Sequence, residues 1–338
     1  MNRNRENMEL IHRESRTYFA AGTLDAEQTP QQKLQFQVQV AIMKKDEEKV
    51  TELMMIAKAN NYDKFFKSVK WSPIKFAVIK CRVNIVSRLL KLGCNPNECN
   101  VRNRTILHSA CERDYFLIAK LLVQYKADIN CIDKKGETPI YLTARKGITK
   151  ISKLLLDFNE TKQICNINID TKDQNFTPLI VACEHNNIEI AKLLLSYDKL
   201  KVDINAKDWK GNTALIKASG SGNNDIVKLL LQYNADINAK NKWGQSALIV
   251  AIQTKNNKVI KTLLGDKQGI NLWENDNRGN NIFYYINKYL LRQGNMEMTQ
   301  KIMKQIRDEL HSLLLSSIKY ARTDLPNGIA QIISQYSY

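Results

Sequence analysis

One pattern of apolar and polar positions recurs six times along the chain. Each copy has a Ser or Thr, an apolar triplet, a small residue, a turn, a leucine run and an ending that resembles Asp-Ile-Asn. The residues that open the copies are Ser72, Thr105, Thr138, Thr177, Thr213 and Ser246. Successive openings are 33, 33, 39, 36 and 33 residues apart. A period near 33 residues predicts stacked units of two helices each, because such units bury their apolar faces against their neighbours.

The first residues of each copy predict where its first helix begins. A Ser or Thr hydroxyl can accept a hydrogen bond from a free N–H group of the first helical turn. Proline follows this residue in three copies, at Pro73, Pro139 and Pro178. Proline suits the first helical position, where its missing N–H has no partner to lose. We therefore expect the first helix of each unit to begin directly after the Ser or Thr.

The turn between the two helices of a unit requires a residue in the left-handed conformation. Gly147, Gly222, Asn186 and Asp114 supply it at low steric cost, whereas Cys81 and Lys255 fill the same position less well. The leucine run that follows predicts the core of the second helix. These runs are Leu89-Leu90, Leu121-Leu122, Leu154 to Leu156, Leu193 to Leu195, Leu229 to Leu231 and Leu263-Leu264.

Composition and periodicity divide the chain into four parts. We expect a flexible leader in residues 1–32, which are polar, and an N-terminal helical cap or degenerate repeat in residues 33–70. Regular repeats are predicted in residues 71–294, and a C-terminal helical segment in residues 295–338. Terminal units of a stack differ from the consensus because one of their sides faces water.

The endings Ala127-Asp128-Ile129-Asn130 and Ala235-Asp236-Ile237-Asn238 complete a unit that resembles the ankyrin repeat, over roughly Trp71 to Asp276. This resemblance implies an all-α ankyrin-repeat solenoid of helix–turn–helix units joined by hairpins, with helical caps at both ends. It also implies a non-enzymatic scaffold that binds a target protein through its concave face and its hairpin tips.

Large residues at the hairpin tips are the candidates for partner binding, because these positions are free of core packing. They directly precede a glycine in three units and are Lys134, Lys135, Trp209, Lys210, Lys242 and Trp243. Tryptophan is enriched among the residues that dominate interface energies, and one exposed Trp can contribute about 2 kcal/mol. The alternative is that each Trp folds back against the neighbouring tip.

The C-terminal residues resemble the beginning of an F-box. The matching residues are Leu325, Pro326, Ile329, Ile333 and Tyr336. The segment is similar to the shortened F-box-like ends of poxviral and intracellular bacterial ankyrin proteins, the PRANC type, which recruit the adaptor of cullin–RING ubiquitin ligases. Gly328 and Ser337 depart from that pattern, which usually has Glu and Leu there. A plain capping helix over the last repeat is the alternative interpretation.

A net charge of +17 raises nucleic acid or acidic lipid as a further class of partner. The lysines are scattered, however, and do not cluster with aromatic residues on one element, so the sequence does not favour nucleic acid. We interpret the charge as a solvated surface that can steer an acidic protein partner.

The sequence contains no arrangement of catalytic or metal-binding residues that we can identify. The four histidines are far apart, and the seven cysteines include no Cys-x-x-Cys pair, so we predict no enzyme, no cofactor and no metal site. No apolar run is long enough to span a bilayer. Unpaired cysteines favour a reducing compartment, so we expect the cytoplasm. Richness in Lys, Asn and Ile is typical of some intracellular pathogens, which suggests an effector in the cytoplasm or nucleus of a host cell.

Overall fold

The computed structural model describes residues 29–62, 72–157, 165–166, 168, 171, 175–197, 201–265, 269–290, 299–300 and 302–304. The chain divides into two compact units, residues 1–98 and 99–338. Within the described residues, the only regular elements are helices, together with one isolated antiparallel bridge between Cys99 and Thr105.

The first unit contains two helix pairs. They are α1 (Pro30–Lys44), α2 (Glu47–Ala59), α3 (Pro73–Ile79) and α4 (Val83–Lys91). Helix α1 begins near its predicted position but includes the end of the predicted leader, because Thr29 and Gln32 form a reciprocal capping box at its start. Between the pairs, Arg88 Nε lies 2.9 Å from Glu47 Oε2.

The second unit also contains helix pairs. The helices are α5 (Ile106–Glu112), α6 (Phe116–Gln124), α7 (Pro139–Lys146), α8 (Thr149–Asp157), α9 (Pro178–Glu184), α10 (Ile188–Ser196), α11 (Ala214–Ser221), α12 (Asn224–Gln232), α13 (Ala247–Gln253), α14 (Asn257–Leu264) and α15 (Ile282–Tyr285). A short π-helix, Ile286–Leu290, follows α15, where the sequence pattern fades. The first helices of the pairs pack successively against one another, and so do the second helices.

The predicted helix starts are confirmed at all six openings, and five of the six hydroxyls cap as expected. Thr138 Oγ1, for example, accepts the N–H of Tyr141 at 3.2 Å. Ser246 is the exception: it occupies the same position before α13, but its hydroxyl makes no capping bond. Cys81 and Lys255 have φ angles of 52° and 61°, so these unfavourable residues do adopt the predicted left-handed conformation.

The leucine runs form the core only in part. Leu155 and Leu156 are buried, for example, but Leu154 is half-buried, as are Leu121 and Leu193. Three consecutive residues of an α-helix span about 200° around its axis, so they cannot all face the same neighbour. Our prediction is confirmed for Leu89-Leu90, Leu229 to Leu231 and Leu263-Leu264, which are buried throughout, and was too broad for the other three runs.

Asparagine side chains connect neighbouring repeats at the ends of the first helices. The amide of Asn256 donates to the carbonyls of Ser219 at 2.8 Å and Gly220 at 3.1 Å, at the end of α11. Asn187 makes the same type of bond at the end of α7, and Asn223 at the end of α9. The last carbonyls of a helix have no partner within the helix, so each asparagine satisfies its neighbour's helix end.

A second series of asparagines connects the Asp-Ile-Asn segments. Asn205 Oδ1 accepts the N–H of Asp236 at 2.9 Å, and Asn238 Oδ1 accepts the N–H of Asn271 at 2.8 Å. The two series fix the registration of successive repeats at opposite ends of the second helix. Together they hold each hairpin at a defined position relative to the next.

Candidate functional site

The hairpins between units are short turns closed by backbone hydrogen bonds. We call them tips 1 to 6, formed by residues 100–105, 133–138, 171–177, 208–213, 241–246 and 276–281. In tip 4, Asp208 N–H donates to Asn212 O at 3.0 Å, and in tip 5, Asn241 N–H donates to Gln245 O at 3.1 Å. Tip 3 is described at residues 171 and 175–177, and its loop is one residue longer than the others.

The first residue of each fully described tip is an Asp or Asn whose side chain turns inward. Asp208 Oδ1 accepts the N–H groups of Lys210 at 2.9 Å and Asn212 at 2.7 Å. Asp133 and Asp276 make the equivalent pairs of bonds, and all three aspartates are buried. The negative charges of the tips are therefore used to order the loop and are withheld from solvent.

Adjacent tips are joined directly through their backbones. The N–H of Lys242 in tip 5 donates to Lys210 O in tip 4 at 2.9 Å, and the N–H of Asn277 in tip 6 donates to Trp243 O in tip 5 at 3.0 Å. This approach depends on Gly211, whose φ is +76° and whose added Cβ would lie 2.8 Å from the backbone nitrogen of Lys242. Tips 4, 5 and 6 thus form a hydrogen-bonded row.

The predicted tryptophans lie on this row and face solvent. Trp209 and Trp243 each expose 47% of their surface, so neither side chain is fully covered by a neighbouring tip. Lys210 lies beside Trp209, with its Nζ 4.9 Å from the ring centroid, and is half-buried, whereas Lys242 is exposed. Trp209, Lys210, Lys242 and Trp243 are therefore brought together on two bonded tips.

Lys134 and Lys135 are exposed on tip 2, which is bonded to tip 1 by the N–H of Lys134 and the carbonyl of Arg102 at 2.9 Å. Two equivalent cations were not predicted from the sequence: Arg102 on tip 1 and Arg278 on tip 6, both of which are exposed. Each of them precedes the next helix by the same number of residues as Lys135 and Trp243 do. This shared spacing is the signal that would have identified them.

Beneath the tips, charged residues pair with one another. Arg104 Nη1 lies 3.0 Å from Glu112 Oε2, and its Nε lies 3.4 Å from Asp133 Oδ2. Arg145 Nη1 lies 2.6 Å from Glu137 Oε1. These partly buried pairs connect α5, tip 2 and α7. They support the tips, and because the two guanidinium groups face three carboxylates, they add no positive charge for a partner.

A buried group of His108, Thr105 and Cys131 places a thiol near an imidazole. Cys131 Sγ lies 3.6 Å from His108 Nδ1. The imidazole is already engaged, because Nδ1 accepts the Thr105 N–H at 3.1 Å and Nε2 lies 2.9 Å from Glu137 O. Burial lowers the pKa of His108 and raises the pKa of Cys131 to about 12, which disfavours a thiolate–imidazolium pair. The group is a structural cap for α5.

The described residues contain no cluster of three or more His, Cys, Asp or Glu side chains suited to a metal ion. In that same part of the chain, no helix has both the length and the apolar character required to cross a bilayer.

The F-box-like residues Leu325, Pro326, Ile329, Ile333 and Tyr336 lie outside the described residues. Closest to them along the chain, residues 299–300 and 302–304 are helical, and Thr299 and Ile302 are buried.

The chain is similar in sequence to known ankyrin repeat proteins. The sequence matches the family profile of ankyrin repeats, in three copies, over residues 38–133, 125–208 and 200–276. It is 33% identical over 150 residues to the ankyrin repeat protein FPV222 of fowlpox virus, covering 44% of this chain and 19% of that protein. It is 32% identical over 145 residues to inversin of Mus musculus, covering 43% of this chain and 13% of inversin.

The fold is similar to the crystal structure of the ankyrin repeat domain of Bcl-3, with a TM-score of 0.60 and 23% sequence identity. That match covers 71% of this chain and all of the Bcl-3 chain. In contrast, the present chain spans about a fifth or less of the length of the fowlpox protein and inversin.

Proposed function

Because the chain belongs to the ankyrin-repeat family, we propose that it is a substrate receptor that binds a target protein through its tips and recruits a ubiquitin-ligase adaptor through its tail. The repeats make it a protein-interaction scaffold and not an enzyme. The observation that carries target binding is the hydrogen-bonded row of tips, on which two tryptophans and several cations face solvent.

Target binding is tested by capture from a eukaryotic lysate with the full chain. We expect a captured protein to be lost when Trp209 and Trp243 are both changed to alanine. The matched control changes Tyr233, another exposed aromatic residue, to alanine at the end of α12. Equal recovery with wild type and the Trp double variant would contradict binding at the tips.

The proposed tail partner is the small adaptor of cullin–RING ligases. Its support is the sequence pattern of Leu325 and Pro326 followed by Ile329, Ile333 and Tyr336. Spacings of four and three residues place the last three on one helical stripe. Each such side chain buried in a groove contributes about 1.5–3 kcal/mol before entropic costs, enough in total for a micromolar contact.

A binding assay between the full chain and the purified adaptor tests this part of the proposal. The double variant Leu325→Ala and Ile329→Ala should abolish binding. Gln331→Ala with Ser334→Ala removes two side chains from the opposite side of the stripe and should bind as wild type does. Equal binding by both variants rejects the adaptor contact.

If both surfaces are occupied at once, the chain raises the effective concentration of the target near the ligase. The fowlpox virus and Acanthamoeba polyphaga mimivirus relatives support the further proposal that such a protein acts in the cytoplasm or nucleus of a host cell. Fluorescence imaging of the tagged chain in eukaryotic cells tests this location. Retention outside both compartments would reject it.

A second candidate function is that of a plain ankyrin adaptor whose tail only covers the last repeat. The burial of Thr299 and Ile302 favours it, since helical residues after the repeats are already packed. Deletion of residues 324–338 should then lower the melting temperature, because an end repeat would lose its cover. An unchanged melting temperature would argue against the capping role.

A further inference from the structure

We infer that the row formed by tips 4, 5 and 6 binds an extended acidic protein segment in which carboxylates alternate with apolar side chains. The inference rests on the proposed role in target binding and specifies the chemistry of the partner.

The outermost positions of the described tips carry only one sign of charge. Each fully described tip presents two residues between its inward-turned Asp or Asn and the left-handed residue that follows. In the row, these pairs are Trp209-Lys210, Lys242-Trp243 and Asn277-Arg278. Tips 1 and 2 add Val101-Arg102 and Lys134-Lys135. Every charged member of these pairs is a cation.

These cations have no acidic partner among the described residues. Within that part of the chain, no carboxylate oxygen lies within 4.0 Å of a side-chain nitrogen of Lys210, Lys242 or Arg278. The acidic groups nearest in sequence to Lys210 and Arg278 are Asp208 and Asp276, which are buried and accept N–H groups of their own loops. The positive potential of the row is thus available to a partner, and the complementary ligand is acidic.

The row also offers apolar surface beside two of its cations, Lys210 and Lys242. The two tryptophans are about half exposed, and Lys210 Nζ lies over the Trp209 ring at 4.9 Å from its centroid. A carboxylate that pairs with this lysine would place a neighbouring apolar side chain of the ligand near the indole. Tryptophan and basic residues side by side therefore favour a ligand with alternating acidic and apolar residues.

The backbone bonds between the tips favour an extended ligand. Lys242 N–H to Lys210 O and Asn277 N–H to Trp243 O hold three successive tips at fixed separations. A preorganised row loses little conformational entropy when a ligand contacts it at several points. A compact acidic domain would touch fewer of these points than an extended segment.

Single-stranded nucleic acid is the other polyanion with apolar surfaces. It binds proteins by stacking its bases on the open faces of aromatic rings. Lys210 already occupies one face of Trp209, which leaves less of that ring for a base. The geometry favours the acidic protein segment, and an oligonucleotide serves as a competitor in the test.

The test selects ligands from a phage-displayed library of random 16-residue peptides against the full chain. The tip variant carries Lys210→Glu, Lys242→Glu and Arg278→Glu. The matched control carries Lys120→Glu, Lys153→Glu and Lys228→Glu, three exposed lysines at equivalent positions on α6, α8 and α12. Both variants change the net charge equally, and circular dichroism verifies that both fold.

We expect the enriched peptides to be net acidic with interspersed apolar residues. A synthetic peptide of the enriched consensus should bind the tip variant at least tenfold more weakly than wild type, and the control within twofold. The double variant Trp209→Ala with Trp243→Ala should also bind the peptide at least tenfold more weakly than wild type. Its remaining affinity for the peptide should still depend on salt concentration.

Four results would overturn the inference: no enrichment, a neutral or basic consensus, equal losses in the tip and control variants, or displacement of the peptide by a 20-nucleotide oligothymidylate at equal or lower concentration in physiological salt. A neutral consensus that binds another face leaves the receptor role intact. Absence of any peptide ligand together with absence of a captured target would reject both this inference and the receptor role.

Discussion

The close approach of tips 4 and 5 can be tested by adding one methyl group. In wild type, Gly211 has a φ of +76°, and an added Cβ would lie 2.8 Å from Lys242 N and 3.2 Å from Asn241 C. These are backbone atoms, so they cannot move aside as a flexible side chain would. Gly211→Ala should therefore force the two tips apart.

Gly279 supplies a matched control. Its φ is +78°, almost the same as that of Gly211, but an added Cβ would have no neighbour within 4 Å. Both substitutions place alanine in the left-handed region, at a cost of about 1–2 kcal/mol. Gly211→Ala should destabilise the protein by about 1 kcal/mol or more beyond this shared strain, since separation of the tips weakens the bond from Lys242 N–H to Lys210 O.

Amide hydrogen exchange measures this difference at the residue concerned. The Lys242 amide should exchange faster in Gly211→Ala and at the wild-type rate in Gly279→Ala. Urea unfolding should show a larger loss of stability for Gly211→Ala than for Gly279→Ala. Equal exchange of Lys242 in the two variants, or an equal loss of stability, would refute the argument that the tips are locked together through Gly211.

Three further predictions concern groups that support the helix ends and the tips. Asn256→Ala should reduce the free energy of unfolding by about 1–2 kcal/mol, because two carbonyls at the end of α11 lose their donor; urea unfolding measures it. His108→Ala should cost about 1–3 kcal/mol by the same measurement, since the buried N–H of Thr105 loses its acceptor, while Glu137 O keeps the N–H of Asp133. At tip 6, burial alone would raise the pKa of Asp276, but hydrogen bonds from Tyr285, Asn280 and the loop N–H groups outweigh it and lower the pKa to about 2. This contribution to stability is present above about pH 4 and lost as the pH falls toward 2, so Asp276→Asn should flatten the pH dependence of the melting temperature in that range.

Each of these three has a result that would contradict it. Stability of Asn256→Ala equal to wild type would show that the helix end finds other partners. A loss below 0.5 kcal/mol in His108→Ala would contradict its capping role. An Asp276→Asn variant with an acid dependence as steep as that of wild type would contradict the lowered pKa. Asn241 already performs the same loop role in tip 5, so the substitution is not expected to unfold the tip.

Local chemistry explains why so much of the fold was predictable from the sequence. Ser or Thr before an apolar triplet, and a left-handed residue between helices, are short-range signals, and they identified the turns at Cys81 and Lys255 despite unfavourable side chains. The leucine runs located the second helices, but sequence order alone did not show that Leu154 lies at the margin of the core.

Contacts across the repeat period were not predictable by the same reasoning. The bond from Asn256 to the end of α11 spans 37 residues, and the bond between tips 4 and 5 joins residues in different repeats. For the same reason, the clustering of positive charge on the tips could not be predicted from the sequence. Cations that are scattered along the sequence lie on adjacent tips once the repeats are aligned. The aspartate carboxylates of the same tips face inward.

The most direct test of the account compares the affinity of a captured target protein for three forms of the full chain. These are wild type, the tip variant with Lys210, Lys242 and Arg278 changed to Glu, and the matched control with Lys120, Lys153 and Lys228 changed to Glu. The account predicts at least a tenfold loss of affinity for the tip variant and less than a twofold change for the control. Equal affinities of the two variants would contradict the claim that the bonded row of tips is the recognition surface.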